Sequence, residues 1–161
     1  MAGEQYLDLA IKSLLDYFES NLGTYITAVE TAKSLDFGTI PTPDDFIPAK
    51  YDKDPQPNQL LVYADSGVPI EEEATSTDDI VTYECDIHFE YTSDADVETG
   101  KLRMREFLTA MINTLHSDRT LGGNVVMAIH TGDEIDASKI NDATTRHSVT
   151  MGVAVTVHEN R

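Results

Sequence analysis

Glu84, Asp86, His88 and Glu90 recur at every second position of one short run. These are residue types of acid–base and metal chemistry. Neighbouring carboxylates exchange protons, and an imidazole beside a carboxylate relays a proton or ligates a divalent ion. A step of two is the period of a strand, so the four share a face if the run is extended. His88 and Glu90 alone do not complete a zinc site, and no His or Cys pair has zinc-finger spacing. His116, His130, His147 and His158 are scattered. A cluster of His88, His130 and His158 forms only if their strands are neighbours in the right register. The enzymatic reading is a small metal-dependent hydrolase built on Glu84, Asp86 and His88. The plainer reading is the wet, acidic face of a sheet.

Other candidate sites fail on spacing. Asp94-x-Asp96-x-Glu98 invites a calcium loop, but the sixth place is Thr99, not Gly, and the twelfth is Arg105, not an acid. These acids suit the start of a helix, where a side-chain oxygen caps backbone amides and negative charge meets the dipole. Cys85, the single cysteine, sits between Tyr83 and Ile87 on the apolar side of its run and reads as a small hydrophobe. It also excludes an internal disulfide. No nucleophile elbow, phosphate-binding loop or dinucleotide fingerprint appears, so neither a catalytic set nor a cofactor is expected. Gly122-Gly123 precedes a strand rather than a helix and reads as a turn.

The elements that position these residues follow from periodicity. Leu7, Ile11, Leu14, Leu15, Phe18 and Leu22 form a helical stripe, resumed by Tyr25, Ile26 and Val29. Ser20-Asn21-Leu22-Gly23 bends it, giving one broken helix or two consecutive ones. Five of the six prolines fall in 36–58, a Pro-rich loop. Leu60 to Ala64 is a short strand. An acidic loop over 66–79 follows and carries Glu71, Glu72 and Glu73 as a solvated tip. Val81 to Tyr91 alternates strictly as a long half-buried strand. Ser93 or Asp94 caps a helix whose stripe runs from Val97 through Met104, Phe107, Leu108, Met111, Ile112 and Leu115. Val125, Met127 and Ile129 open a strand, 132–144 is a polar loop, and Val149 to Val157 is the last strand. The sum predicts a single α+β domain over 1–161, with a mainly antiparallel four-stranded sheet and helices packed on one face.

The charge narrows the partners. Formal charge is −18, from 29 acids and 11 bases. Such a surface repels duplex phosphate, because affinity for nucleic acid rests on Lys and Arg displacing counterions. An anionic membrane is equally disfavoured, and no run reaches the length of a membrane span. Solubility, adaptation to high salt, and a wall past which DNA slides without sticking all agree with this charge. The first residues carry no basic segment followed by an apolar one, so synthesis in the cytoplasm is expected. The few bases gather at Lys101, Arg103, Arg105, Arg119 and Arg146. An acidic strand or loop of one copy against these bases on the next is a head-to-tail contact, which closes into a ring when the rotation allows.

The order of elements resembles a known type. An N-terminal amphipathic helix, a Pro-rich loop and a long strand ending Phe89-Glu90-Tyr91 come first. A helix then ends in Leu115-His116-Ser117-Asp118-Arg119-Thr120-Leu121-Gly122-Gly123, ahead of a Val-rich hairpin. This pattern is similar to the tail terminator proteins of long-tailed bacteriophages, best from Val81 to Val157, and more loosely to their minor tail and neck proteins. The resemblance implies a structural virion protein and no enzyme. It implies a ring, usually a hexamer, that caps the tail tube, stops its polymerisation and joins tail to head. DNA passes through the ring without specific binding. The implied partners are further copies of the chain, the tail tube protein and the head-neck connector protein; the implied location is the head-proximal end of the virion tail. A head-completion or neck connector role is the alternative. Ring contacts through the sheet and the loops 36–58, 66–79 and 132–144 place Glu71, Glu72 and Glu73 at the channel. The bases Arg103, Arg105, Arg119 and Arg146 then serve the contacts between copies.

Overall fold

Leu14, Phe18, Leu22, Ile26 and Val29 fall on one buried stripe of a single helix, α1 (Ala2–Ala32), in the computed structural model of the chain. The structure describes residues 2–36, 38–48, 58–64, 71–74, 78–94 and 96–160. The side chains of 2–6, 71–74, 78, 79, 159 and 160 lie outside the described residues. The break expected at Ser20 to Gly23 is absent, and the helix runs on without interruption. Gly23 faces solvent, where it costs only its propensity deficit of roughly 1 kcal/mol. The apolar stripe on either side outweighs that.

Two short strands come next, β1 (Asp45–Pro48) and β2 (Gln59–Tyr63). They pair in parallel, Asp45 opposite Gln59 and Pro48 opposite Val62. β3 (Glu71–Ala74) and the long β4 (Asp78–Ser93) follow. After α2 (Val97–Ser117) the chain closes with β5 (Met127–Lys139) and β6 (Thr145–Asn160). The sheet order is β1-β2-β4-β6-β5, with β3 beside β4 off that path. The expected four-stranded, mainly antiparallel sheet is thus corrected to a mixed sheet. Five strands form its path, one pair is parallel, and β3 makes a sixth strand. The two strands that periodicity missed are short and carry residues that usually mark loops. Pro48 ends an edge strand, where its missing N–H breaks no ladder. The acids of β3 lie in a strand through backbone pairing with β4.

β4 is the spine. One edge pairs with β6 along its whole length, from Asp78 opposite Asn160 to Ser93 opposite Thr145. The other edge is shared, β3 against Asp79 to Thr82 and β2 against Asp86 to Phe89. Odd-numbered residues of β4 and β6 enter one hydrophobic cluster with the stripes of α1 and α2. Within it Phe89 stacks on Phe107, ring centroids 4.4 Å apart. Fully burying a Phe side chain contributes roughly 1.5–3 kcal/mol.

α2 is capped by Asp96, not by Ser93 or Asp94. The Asp96 carboxylate accepts the Thr99 amide at 2.6 Å. That bond holds its carboxyl below the usual carboxylate range. At the far end Asp118 accepts from the Thr120 amide (2.9 Å), the Thr120 hydroxyl (2.6 Å) and the Gly122 amide (3.1 Å). Leu121, Gly122 and Gly123 all take positive φ, of 52°, 77° and 85°. This is the left-handed turn that glycine makes without strain.

The polar loop expected over 132–144 is largely strand. β5 continues to Lys139, and only residues 140–144 turn. A bulge between His130 and Gly132 shifts the register, as extra residues in an edge strand do. Among the described residues no helix is long and apolar enough to cross a membrane. The Pro-rich loop over 36–58 contains β1, and its residues 49–57 lie outside the described residues. So do residues 66–70 and 75–77 of the acidic loop.

Candidate functional site

The even-numbered residues of β4 point away from the helices. Pairing with β6 sets Glu84 opposite Ala154, Asp86 opposite Gly152, His88 opposite Thr150 and Glu90 opposite Ser148. β5 adds Glu134 opposite Thr150 and Asp136 opposite Ser148 to this face. Strand alternation therefore delivers the row that the spacing predicted. Both α1 and α2 pack against the opposite face.

Two hydrogen-bonded groups organise the row. In the first, His88 Nδ1 meets Thr150 Oγ1 at 2.7 Å and His88 Nε2 meets Glu90 Oε1 at 3.1 Å. Arg146 Nε lies 3.7 Å from the other oxygen, Glu90 Oε2, which has no hydrogen-bond donor. His88 and Glu90 are only 13% and 11% exposed at the side chain, so this hydroxyl–imidazole–carboxylate line is screened from bulk water. In the second group, Thr131 Oγ1 donates to Glu84 Oε1 at 2.5 Å. Glu84 is on β4 and Thr131 on β5, so the bond crosses β6. It passes over Gly152, where a Cβ would stand 2.7 Å from Thr131 Oγ1 and 2.9 Å from Glu84 Oε1.

Beside this bond lies an open hollow of about 370 Å³, lined by Glu84, Asp86, Asp133, Glu134, Thr131 and Thr150, with Gly132 and Gly152 as its floor. The carboxylates of Glu84, Asp86 and Glu134 around this hollow attract cationic groups and repel anions, while Asp133 borders it with its carboxylate turned to His130. An oxyanion intermediate finds no stabilisation there, so the geometry favours binding over acyl transfer.

The residues singled out for chemistry separate. His130 faces the helix side of the sheet, its Nε2 3.2 Å from Asp133 Oδ2. His158 sits opposite Ile80, roughly 27 Å along the strand from the His88–Thr150 pair at about 3.4 Å per residue. The three imidazoles do not meet. Among the described residues no set of three or more His, Cys, Asp or Glu is placed to hold a metal ion. Cys85 is buried, and burial with the Glu84 and Asp86 carboxylates pushes its thiol up to about 12.

The bases also separate. Arg103 is half-buried and Arg105 exposed on α2. Arg119 lies past the far end of that helix, roughly 24 Å along the axis at about 1.5 Å per residue. Its carbonyl accepts the Ala128 amide at 2.7 Å. Arg146 alone of the four reaches the acidic face. Glu71, Glu72 and Glu73 pair through their backbones with Thr82, Val81 and Ile80. They lie in β3 rather than at a loop tip, and their side chains lie outside the described residues.

A buried histidine is the feature that spacing did not single out. His147 is fully buried on the helix side, its ring seated where Gly100 of α2 lacks a Cβ. Its Nε2 lies 3.3 Å from Ser93 Oγ, its ring centroid 5.0 Å from that of Tyr91, and its Nδ1 has no partner. Burial, reinforced by the Arg103 cation, holds the imidazole below its ordinary value; Asp96 opposes this. The sequence signal for it was Gly100 inside a helix, a position where glycine marks close approach, as Gly152 inside a strand does for the Glu84–Thr131 bond. Comparison with protein-family models and with curated proteins gives no match for this chain.

Proposed function

We propose that this chain is a structural ring-forming protein of the tail-terminator type, whose copies enclose a hole that DNA traverses. The observation that carries this reading is the carboxylate row Glu84, Asp86, Glu90, Glu134 and Asp136 on the sheet face opposite the helices. Like charges so aligned repel one another and are relieved by water or by a partner's bases. A polyanion passing such a face does not stick, because the face offers few cations to replace its counterions. The separated bases Arg103, Arg105, Arg119 and Arg146 support contacts at more than one place on a neighbouring copy, as a head-to-tail ring requires. The partners on this reading are further copies, the tail tube protein and the head-neck connector protein, and the location is the head-proximal end of the tail.

Size-exclusion chromatography with light scattering, at low and high salt, tests the ring, with negative-stain images of the main species. A closed oligomer, most simply a hexamer with a stain-filled centre, is the expected result. A monomer at millimolar concentration in every buffer overturns it.

A further inference from the structure

Beyond Ala128, whose amide donates to the Arg119 carbonyl at 2.7 Å, β5 is an edge strand whose only neighbour among the described strands is β6. Exposed edges are templates for a further strand, and native chains protect them with charge and bulges. β5 has both devices, and they are unevenly placed. Its start carries exposed apolar side chains: Val126, just before the strand, is 45% exposed, Met127 38% and Ile129 50%. Its middle, beyond the bulge, carries Asp133, Glu134 and Asp136. The acidic hollow opens beside that middle, with Asp133 and Glu134 in its wall.

We infer that the open edge of β5 takes an extended segment of another protein by strand addition, basic at one end and apolar at the other. Main-chain bonds to the edge supply affinity, and alternate side chains supply selectivity. The basic end lies along Glu134 and Asp136, with Asp133 on the other side of the edge, and places one Lys or Arg side chain in the hollow. The apolar end covers Met127 and Ile129. Charge argues against a second copy as the occupant. Among the described strands none carries two bases two residues apart: β5 has Lys139, β6 has Arg146, and the rest have none. This surface shares Glu134, Asp136 and the hollow with the acidic face of the ring reading, but its peptide test does not depend on ring closure, which size exclusion reads by itself.

The test uses the whole protein and a fluorescein-labelled decapeptide with three alternating lysines in one half and alternating valines in the other. Binding is read by fluorescence anisotropy at low and moderate salt. Saturable binding is expected. The double variant Asp133→Lys/Glu134→Lys weakens it by roughly tenfold or more, the scale of reversing two rim charges. Ile129→Asp weakens it too, and Glu98→Gln on α2 leaves it unchanged. Circular dichroism melts confirm that each variant is folded. A peptide N-methylated on alternate amides separates strand addition from plain charge attraction, and it should lose binding. Equal binding of the methylated peptide overturns the proposal. So does self-association of the protein that the Asp133→Lys/Glu134→Lys variant abolishes, because the edge then belongs to a second copy.

Discussion

Glu84 and Thr131 are joined across an intervening strand. Their 2.5 Å hydrogen bond runs over Gly152 and ties β4 to β5 without either strand touching the other. In a pleated sheet, side chains on alternate strands stand nearly two strand spacings apart, about 9.6 Å. The link is possible because the bulge between His130 and Gly132 re-aims the edge strand and Gly152 leaves the path open.

Thr131→Ala should therefore cost about 0.5–1.5 kcal/mol, the usual net value of such a bond. Gly152→Ala should cost a similar amount, because the new methyl group displaces the same contact. The two changes together should cost little more than either, a non-additivity that urea unfolding reads directly. Full additivity would mean the bond contributes nothing in solution.

A Cβ at Gly100 would lie 1.6 Å from His147 Cε1. The ring cannot retreat, since it is fully buried and packed on Tyr91. Ala normally gains up to about 1 kcal/mol over Gly in a helix. Overpacking here should reverse that and cost roughly 1–3 kcal/mol. In a His147→Ala background the same Gly100→Ala change should turn stabilising, because the space is then vacant. Denaturant melts of the four species give the sign in each background. A stabilised Gly100→Ala single variant would remove His147 from that cavity.

His147 also sets a pH dependence. Its folded-state value is held below the ordinary 6.5, chiefly by burial. The unfolded chain therefore takes up the proton first, and stability rises with pH wherever the unfolded state binds more protons. The contribution is complete above 6.5 and is lost as pH falls below that value toward the lowered one. Thermal melts between neutral and mildly acidic pH should show this loss, and His147→Phe, which keeps a ring but cannot titrate, should flatten it. An unchanged slope in that variant would assign the pH dependence to other groups.

Much of the frame was legible because it rests on local period. β4 alternates for its whole visible run, and the α2 stripe from Met104 to Leu115 is buried as its spacing requires. The edge strand misled because its phase is not local. Val125 is buried in the turn ahead of β5, but Ala128, not Met127 or Ile129, enters the core. The apparent alternation of Val125, Met127 and Ile129 thus joins two different environments. The bulge then returns Ile135 to the helix side, opposite Val149. β3 was invisible for another reason. Pairing with a distant strand satisfies its backbone, and three consecutive Glu carry no trace of that partner. At the candidate site the carboxylate row was readable from β4 alone. Its partners Thr131 and Thr150 were not, since they depend on register between strands far apart in sequence.

The long β4–β6 ladder also fixes an order of events. Even its nearest pair, Ser93 with Thr145, encloses all of α2 and β5 between its ends. Contacts that span so much chain form slowly, because the entropy of closing the loop comes before any reward. On the ribosome, β4 emerges long before β6 exists. Until then the nascent chain presents a sixteen-residue strand with an unmatched margin, the state in which a chaperone has most to do.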